Sequence, residues 1–257
     1  MKKQLYFEKI KNQSLKEEIK EEIKLVWTNS STGLEGNTIS LGDTEILLKE
    51  GITIQGKTMR EHNEIIGHAK AIDVLYDIIK NNDLTSENLF ELHKYVMLNP
   101  PIDCFKPIGK YKIEDNYTRT RNEDGTMQVI TYPSYTKINL LMEKWFSLFN
   151  KIKDLDLINQ YSIIHCTFIK IHPFADGNGR LARLVANIPI LKNGLPPITI
   201  AKENRKKYIN CLEKIVLDDN WELNGMDSFI DFISEEWKTS KKIFKQIYDI
   251  ELENRNK

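Results

Sequence analysis

Apolar residues recur along this chain mostly at helical spacing, interrupted by short stretches of turn-forming residues. Between Leu15 and Trp27, Ile19, Ile23, Leu25 and Val26 fall among charged residues, a pattern that predicts a helix with one solvated face. The small and turn-forming residues from Asn29 to Asn37 break that pattern, and Ser40 to Glu45 then offers capping groups for a second helix. The stretch from Glu50 to Gly56, bounded by glycines, predicts a small β excursion. Ile65, Ile66, Ala69, Ile72, Leu75, Tyr76 and Ile79 return at helical spacing and predict a core helix within 59–79.

A further helix is expected to start near Thr85 or Ser86, either of which can cap it, and to run to about Leu98, where Pro100 and Pro101 stop it. From Lys112 to Thr131 short β-like pieces flank 121–125, predicting a hairpin with Asp124 and Gly125 at its turn. Helical patterns resume over 136–151 and 155–171, the second ending where Pro173 disfavours more helix. Others follow over 179–192, 203–216 and 226–250, the last so charged that a surface or oligomer-forming role is expected for it. With no internal repeat or low-complexity linker, one mostly α domain over 1–257 is the simplest organisation.

Lys plus Arg equals Asp plus Glu at 37 each, so the formal charge is zero and no global attraction to nucleic acid or anionic membrane is expected. Any basic site must be local. Cys104, Cys166 and Cys211 are widely spaced and odd in number, which suits a reducing, cytoplasmic setting. No stretch reads as a signal peptide or a membrane span.

The run from His172 to Arg183, HPFADGNGRLAR, concentrates the candidate chemistry. Gly177 and Gly179 flank Asn178 and lack Cβ, so backbone N–H groups there can approach an anion closely. A helix starting near Gly179 would add its N-terminal partial positive charge. Arg180 and Arg183, three apart, would then share one face and offer two guanidinium forks to several phosphates. His172 titrates near neutrality when unperturbed and is a candidate general base, and Asp176 is the nearest carboxylate for a metal. His62, His68, His93 and His165 are assigned to packing or surface roles.

This run resembles the signature HxFx(D/E)GNGRxxR of the Fic family and fills every fixed position of it. The resemblance implies a Fic-type helical bundle with a small β-hairpin flap, and a protein adenylyltransferase that moves AMP from ATP to a Ser, Thr or Tyr hydroxyl, its own included. It implies His172 as base, Asp176 as ligand of Mg²⁺ or Mn²⁺, and Gly177, Asn178, Gly179, Arg180 and Arg183 around the phosphates, with the Asn178 amide donating to the α-phosphate. Arg183 would face the γ-phosphate.

Upstream, Ser31-Thr-Gly-Leu-Glu35-Gly36 resembles the family's inhibitory motif (S/T)xxxE(G/N). Glu35 would then compete with the γ-phosphate for Arg183, with Ser31 holding the segment. The domain would divide into an N-terminal segment, 1–58, a Fic core, 59–240, and a helix end, 241–257. The flap at about 112–131 would receive the protein target by β-augmentation, with Ile113, Met127, Val129 and Ile130 as a clamp, although Lys112 stands where the family's entry motif has Arg. Tyr208 would stack on the adenine, and helical Fic domains often pair, which makes a homo-oligomer an open expectation. Removal of AMP, transfer of another phosphate-containing group, and a nucleotide-binding interaction module remain as alternatives on the same fold.

Overall fold

The structure is a computed structural model, which describes residues 5–81, 84–99, 106–121 and 125–255. The expected stops at Pro100 and Pro101, Cys104, and Asp124 of the hairpin turn lie outside the described residues. Ten α-helices and two small antiparallel hairpins follow one another among the described residues. They are α1 (Gln13–Leu34), α2 (Leu41–Glu50), α3 (Met59–Asn81), α4 (Ser86–Val96), β1 (Tyr117–Arg121), β2 (Met127–Thr131), α5 (Ile138–Lys151), α6 (Leu157–Ile171), α7 (Asn178–Val185), α8 (Ile188–Lys192), α9 (Arg205–Glu213), β3 (Val216–Leu217), β4 (Leu223–Asn224) and α10 (Asp227–Arg255). The mostly α class with one larger hairpin is as the sequence implied.

Helix α6 runs through the middle of the bundle. It buries Tyr161, Ile164, Cys166, Phe168 and Ile171, and α5, α7, α8 and α10 all pack on it. One apolar cluster joins residues from Leu5 and Phe7 through Trp27, Trp145 and Phe168 to Phe229 and Phe244. Helix α10 therefore does more than its charge suggested. Its Phe229, Phe232, Ile233 and Trp237 are buried, and most of its charges occupy the opposite face, while Glu236 is buried and accepts the Ala201 N–H. A second, smaller cluster of Ile39, Leu47 and Ile65 seats α2 on α3.

Local chemistry explains several boundaries. Asn12, Ser40, Thr85 and Asp156 each accept a backbone N–H at a helix start, satisfying a donor that the helix cannot. The turn residues expected to break α1 at Asn29 do not do so. Their small size lets α1 continue against its neighbours. Ser30 donates to the Ile200 carbonyl, Thr32 donates back to the Thr28 carbonyl, and a Cβ on Gly33 would lie 3.4 Å from Lys202. The helix stops at Glu35 instead, where Gly36 takes φ 97°.

Two other expectations need correction. Residues 51–56 form no strand: Gly51 and Gly56 adopt left-handed φ values of 72° and 77°, and the backbone N–H of Ile54 donates to His62 Nε2 at 2.8 Å rather than to a strand. The helix expected over 179–192 is two helices. Pro189 has no N–H to continue the ladder, and the Asn187 side chain at the break donates to the carbonyls of Arg183 and Ile198. The β3–β4 pair was not foreseen, since two residues per strand carry no period to read.

Helices α3 and α4 meet through Gly67, where a Cβ would overlap the Tyr95 carbonyl oxygen and approach Leu98 Cβ to 2.9 Å. Gly67→Ala is expected to destabilise the fold by roughly 1–3 kcal/mol despite alanine's better helix propensity. Urea unfolding of the two proteins measures the difference.

Candidate active site

Helix α6 ends at His172, whose φ of 52° is left-handed and uncommon for a residue with a Cβ. Pro173 follows, and the chain turns sharply into α7. The loop between them is closed by its own polar groups. Asn178 Nδ2 donates to the Phe174 carbonyl at 2.8 Å, while Asn178 Oδ1 accepts the Phe174 N–H at 3.0 Å. The expected donation from the Asn178 amide to a phosphate therefore meets an amide already committed to building the loop.

The ring of Phe174 is fully buried and stacked on His93, with centroids 4.0 Å apart. His93 accepts the Gly109 N–H through Nδ1 at 2.8 Å, which directs Nε2–H to the Asp176 carbonyl at 3.1 Å. Burial pushes its imidazole down to about 4, so it holds this neutral tautomer.

Gly177, at φ 78°, caps the start of α7. The first intrahelical bond runs from the Leu181 N–H to the Gly177 carbonyl, so the N–H groups of Asn178, Gly179 and Arg180 have no intrahelical acceptor. They lie at the positive end of the helix. An anion already sits there. A Cβ on Gly179 would come within 2.5 Å of Glu35 Oε1, so the carboxylate from the end of α1 occupies the space that the glycine leaves open.

Arg183, one turn on, is the cation under that carboxylate. Its Nη2 donates to Glu35 Oε1 at 2.6 Å and to the Ser31 carbonyl at 2.9 Å, Nε donates to Ser31 Oγ at 3.0 Å, and Nη1 donates to Tyr208 Oη at 3.4 Å. Burial raises the Glu35 carboxyl, but the charge and hydrogen bond of Arg183 outweigh it and hold it below the usual range. The two partners differ in exposure: the Arg183 side chain is 3% exposed and that of Glu35 is 37%. Solvent thus reaches the anion but not the cation.

The two arginines, three apart in α7, both act on the Glu35 carboxyl but take different hydrogen-bond partners. Arg180 points to α4, where Nη1 donates to the Val96 carbonyl at 3.0 Å, and its Nη1 lies 4.0 Å from Glu64. Its buried Nε has no protein acceptor. Tyr208 is also displaced from its expected role. Its ring is 3% exposed among Phe229 and Phe232, so it offers no face to a base, and its hydroxyl instead joins Arg183 to His165 Nε2 at 3.0 Å.

His172 is half-buried beside the hairpin. Its Nδ1 meets the Ile169 carbonyl at 3.3 Å, an arrangement that keeps the proton on Nδ1 and leaves Nε2 as the acceptor. The ring stacks on Tyr132, centroids 3.7 Å apart and planes 13° apart. Burial, with help from Lys112, pushes the imidazole down to about 4, overriding the Ile169 contact, Asp176 and Glu35. The unperturbed value assumed from sequence is therefore corrected by the fold.

Asp176 is exposed, with Oδ1 accepting the Gly177 N–H at 2.6 Å. Among the described residues no group of three or more His, Cys, Asp or Glu side chains could hold a metal by itself. One exposed carboxylate at an anion site nevertheless suits a hard divalent ion whose remaining ligands are phosphate oxygens and water.

Tyr132 and Asn116 went unnoticed in the sequence, since they carry no motif and become visible only through tertiary contacts. His93 and His165 are buried within the range of roles expected of them, and their polar bonds, like that of Arg205 to the Leu34 carbonyl at 2.6 Å, appear only in the fold.

A helical bundle that presents a histidine, a glycine-bounded anion cradle and a buried arginine beside a β-hairpin defines a Fic-type domain. Residues 83–190 match the Fic/DOC family, and the chain belongs to it. It is 30% identical over 207 residues to protein adenylyltransferase fic-1 of Caenorhabditis elegans, covering 77% of this chain and 38% of that protein. The identity to protein adenylyltransferase Fic of Drosophila melanogaster is 30% over 187 residues, covering 71% and 35%. The chain thus spans well under half the length of these relatives. In fold it resembles a Fic domain containing signaling protein from Bacteroides thetaiotaomicron, with a TM-score of 0.81, 24% identity and coverage of 95% and 94%. A fragment of Fic-1 from C. elegans gives a TM-score of 0.75 at 24% identity, covering 95% and 69%. Among the described residues no helix is long and apolar enough to cross a membrane.

The His172 ring is expected to titrate with a midpoint near pH 4 rather than 6.5, staying neutral and able to accept a proton through the whole neutral range. Its C–H resonance, assigned by its loss in His172→Gln and followed against pH by NMR, reads the midpoint.

Proposed function

We propose that this chain is a protein adenylyltransferase, transferring AMP from ATP to a side-chain hydroxyl of a protein, and that Glu35 restrains it. The observation that carries this reading is the Glu35 carboxylate lying over Gly179 against Arg183. A carboxylate and a phosphate oxygen both match a guanidinium fork, so the site that holds one suits the other. The relatives called protein adenylyltransferase support the same activity.

In this reading the free N–H groups of Asn178, Gly179 and Arg180 receive the inner phosphates, with Gly177 giving the turn that aims them. Arg180 contributes its unpaired Nε, and Arg183 takes the γ-phosphate once Glu35 has left. Asp176 would hold Mg²⁺ or Mn²⁺, which supplies charge neutralisation on the phosphates. The target hydroxyl gives its proton to His172 Nε2 as its oxygen bonds to the α-phosphorus. The bond from that phosphorus to the α,β-bridging oxygen breaks, and pyrophosphate leaves. Tyr208, buried behind Arg183, sets the arginine rather than touching the base.

The protein target would add its backbone to the hairpin, where Met127 and Val129 are exposed, as is Ile113 ahead of β1. Ser31 holds Arg183 and the end of α1 together in the restrained state. Free, buried Cys166 and Cys211 suit a cytoplasmic setting.

With α-labelled ATP, Glu35→Gly is expected to raise label incorporation into protein by roughly 5–150-fold, the range of a typical coupling free energy. Adding His172→Ala to that variant should cut the rate by about 10²- to 10⁴-fold. Label carried over from γ-labelled ATP instead would assign phosphoryl transfer, and unchanged activity in a folded Glu35→Gly protein would remove the restraint.

A further inference from the structure

We propose that Tyr132 is a positioning residue for His172: its ring, held at the end of the hairpin, fixes the plane of the imidazole and keeps water from one of its faces. The kinetic part of this inference rests on the adenylyl-transfer reading, and the titration part does not.

The geometry gives Tyr132 little freedom. Its ring lies 3.7 Å from that of His172 with planes 13° apart, its hydroxyl pairs with Thr118 Oγ1 at 2.9 Å, and its N–H donates to the Asn116 carbonyl at 3.3 Å. Thr118 lies on β1, so both strands of the hairpin hold the ring.

The hairpin is itself fastened to the residues just after His172. The Lys112 N–H donates to the Pro173 carbonyl at 2.9 Å, and Asn116 Nδ2 donates to the Phe174 carbonyl at 3.0 Å. Lys112 Nζ donates to Asn116 Oδ1 at 2.6 Å and lies 6.0 Å from the Tyr132 ring. A ring held this way turns with the histidine's own backbone, so the stack is preorganised rather than formed on binding.

Two physical effects of the stack oppose each other. An aromatic face attracts an imidazolium and so favours protonation, whereas exclusion of water from the ring disfavours it. The charged groups acting on His172 are Lys112, Asp176 and Glu35, and Tyr132 stays an uncharged phenol because burial raises it. Desolvation is the largest influence on the imidazole, and its net shift is downward. With the Tyr132 ring 3.7 Å away and nearly parallel, no water reaches that face of the imidazole, and we take this loss of hydration to exceed the cation–π attraction. Removing the ring should let His172 take up protons at a higher pH.

The test compares Tyr132→Ala and Tyr132→Phe with the parent, each in the Glu35→Gly background and checked for folding by circular dichroism. NMR titration of His172 should show the midpoint moving up from about 4 by roughly one unit or more in Tyr132→Ala, while Tyr132→Phe, which keeps the ring, restores it. AMP transfer should show kcat lowered by about tenfold or more in Tyr132→Ala with KM for ATP little changed, since the cradle does not touch this ring. The acidic limb of its pH–rate profile should follow the titration upward.

A midpoint that stays put or falls in folded Tyr132→Ala overturns the inference. So does an equal loss in Tyr132→Phe, which would assign the effect to the Thr118 contact and hairpin folding. If no variant transfers AMP at all, the adenylyl-transfer reading fails while the titration still decides the role of Tyr132.

Discussion

A guanidinium removed from water must find an acceptor for its donors or it destabilises whatever buries it, and Arg183 imposes that requirement on this fold. The Ser31 hydroxyl and carbonyl, the Glu35 carboxylate and the Tyr208 hydroxyl meet it, so helices α1 and α9 must approach α7 at one register. The next shell follows from the same demand. His165 supports the Tyr208 hydroxyl, and Arg205 takes the Leu34 carbonyl at the end of α1. Of the acceptors, Glu35 is the charged one and is reached by solvent, which makes it the natural one to exchange.

A second constraint shapes the turn between α6 and α7. Its backbone must reverse direction while keeping several N–H groups unspent, and side chains perform the closure that a regular turn would perform with backbone. Asn178 bridges the loop to itself, His93 ties it to the segment before the hairpin, and Asn116 ties it to the hairpin. The N–H groups at the start of α7 are left over as a result.

Much of this was legible in the chain. The helical periods of α3, α4 and α6 and the caps at Ser40 and Thr85 can be read because each depends on neighbours within a few residues. The signature and the Ser31 to Glu35 motif also lie in continuous stretches, and the fold brings Glu35 to Arg183 as the motif implied. What stayed hidden depends on partners distant in sequence. Serine, threonine and glycine in α1 read as turn formers until Ile200 and Lys202 appear beside them. Tyr208 reads equally well as a ligand platform or a core residue, and burial decides for the core. Arg180 and Arg183 diverge because each finds a different carbonyl, which residue spacing cannot encode.

The bare Cα of Gly179 carries one further consequence. In the function proposed above a phosphate oxygen would need the volume that now admits the Glu35 carboxylate, so a side chain added there would block the restraining group and the substrate alike. Mutational drift at that position cannot trade one against the other. Setting the strength of such a restraint independently of catalysis would then fall to the α1 side of the contact, where Gly36 follows Glu35 at φ 97° and Asn37 donates to the Glu61 carbonyl and the Glu64 carboxylate.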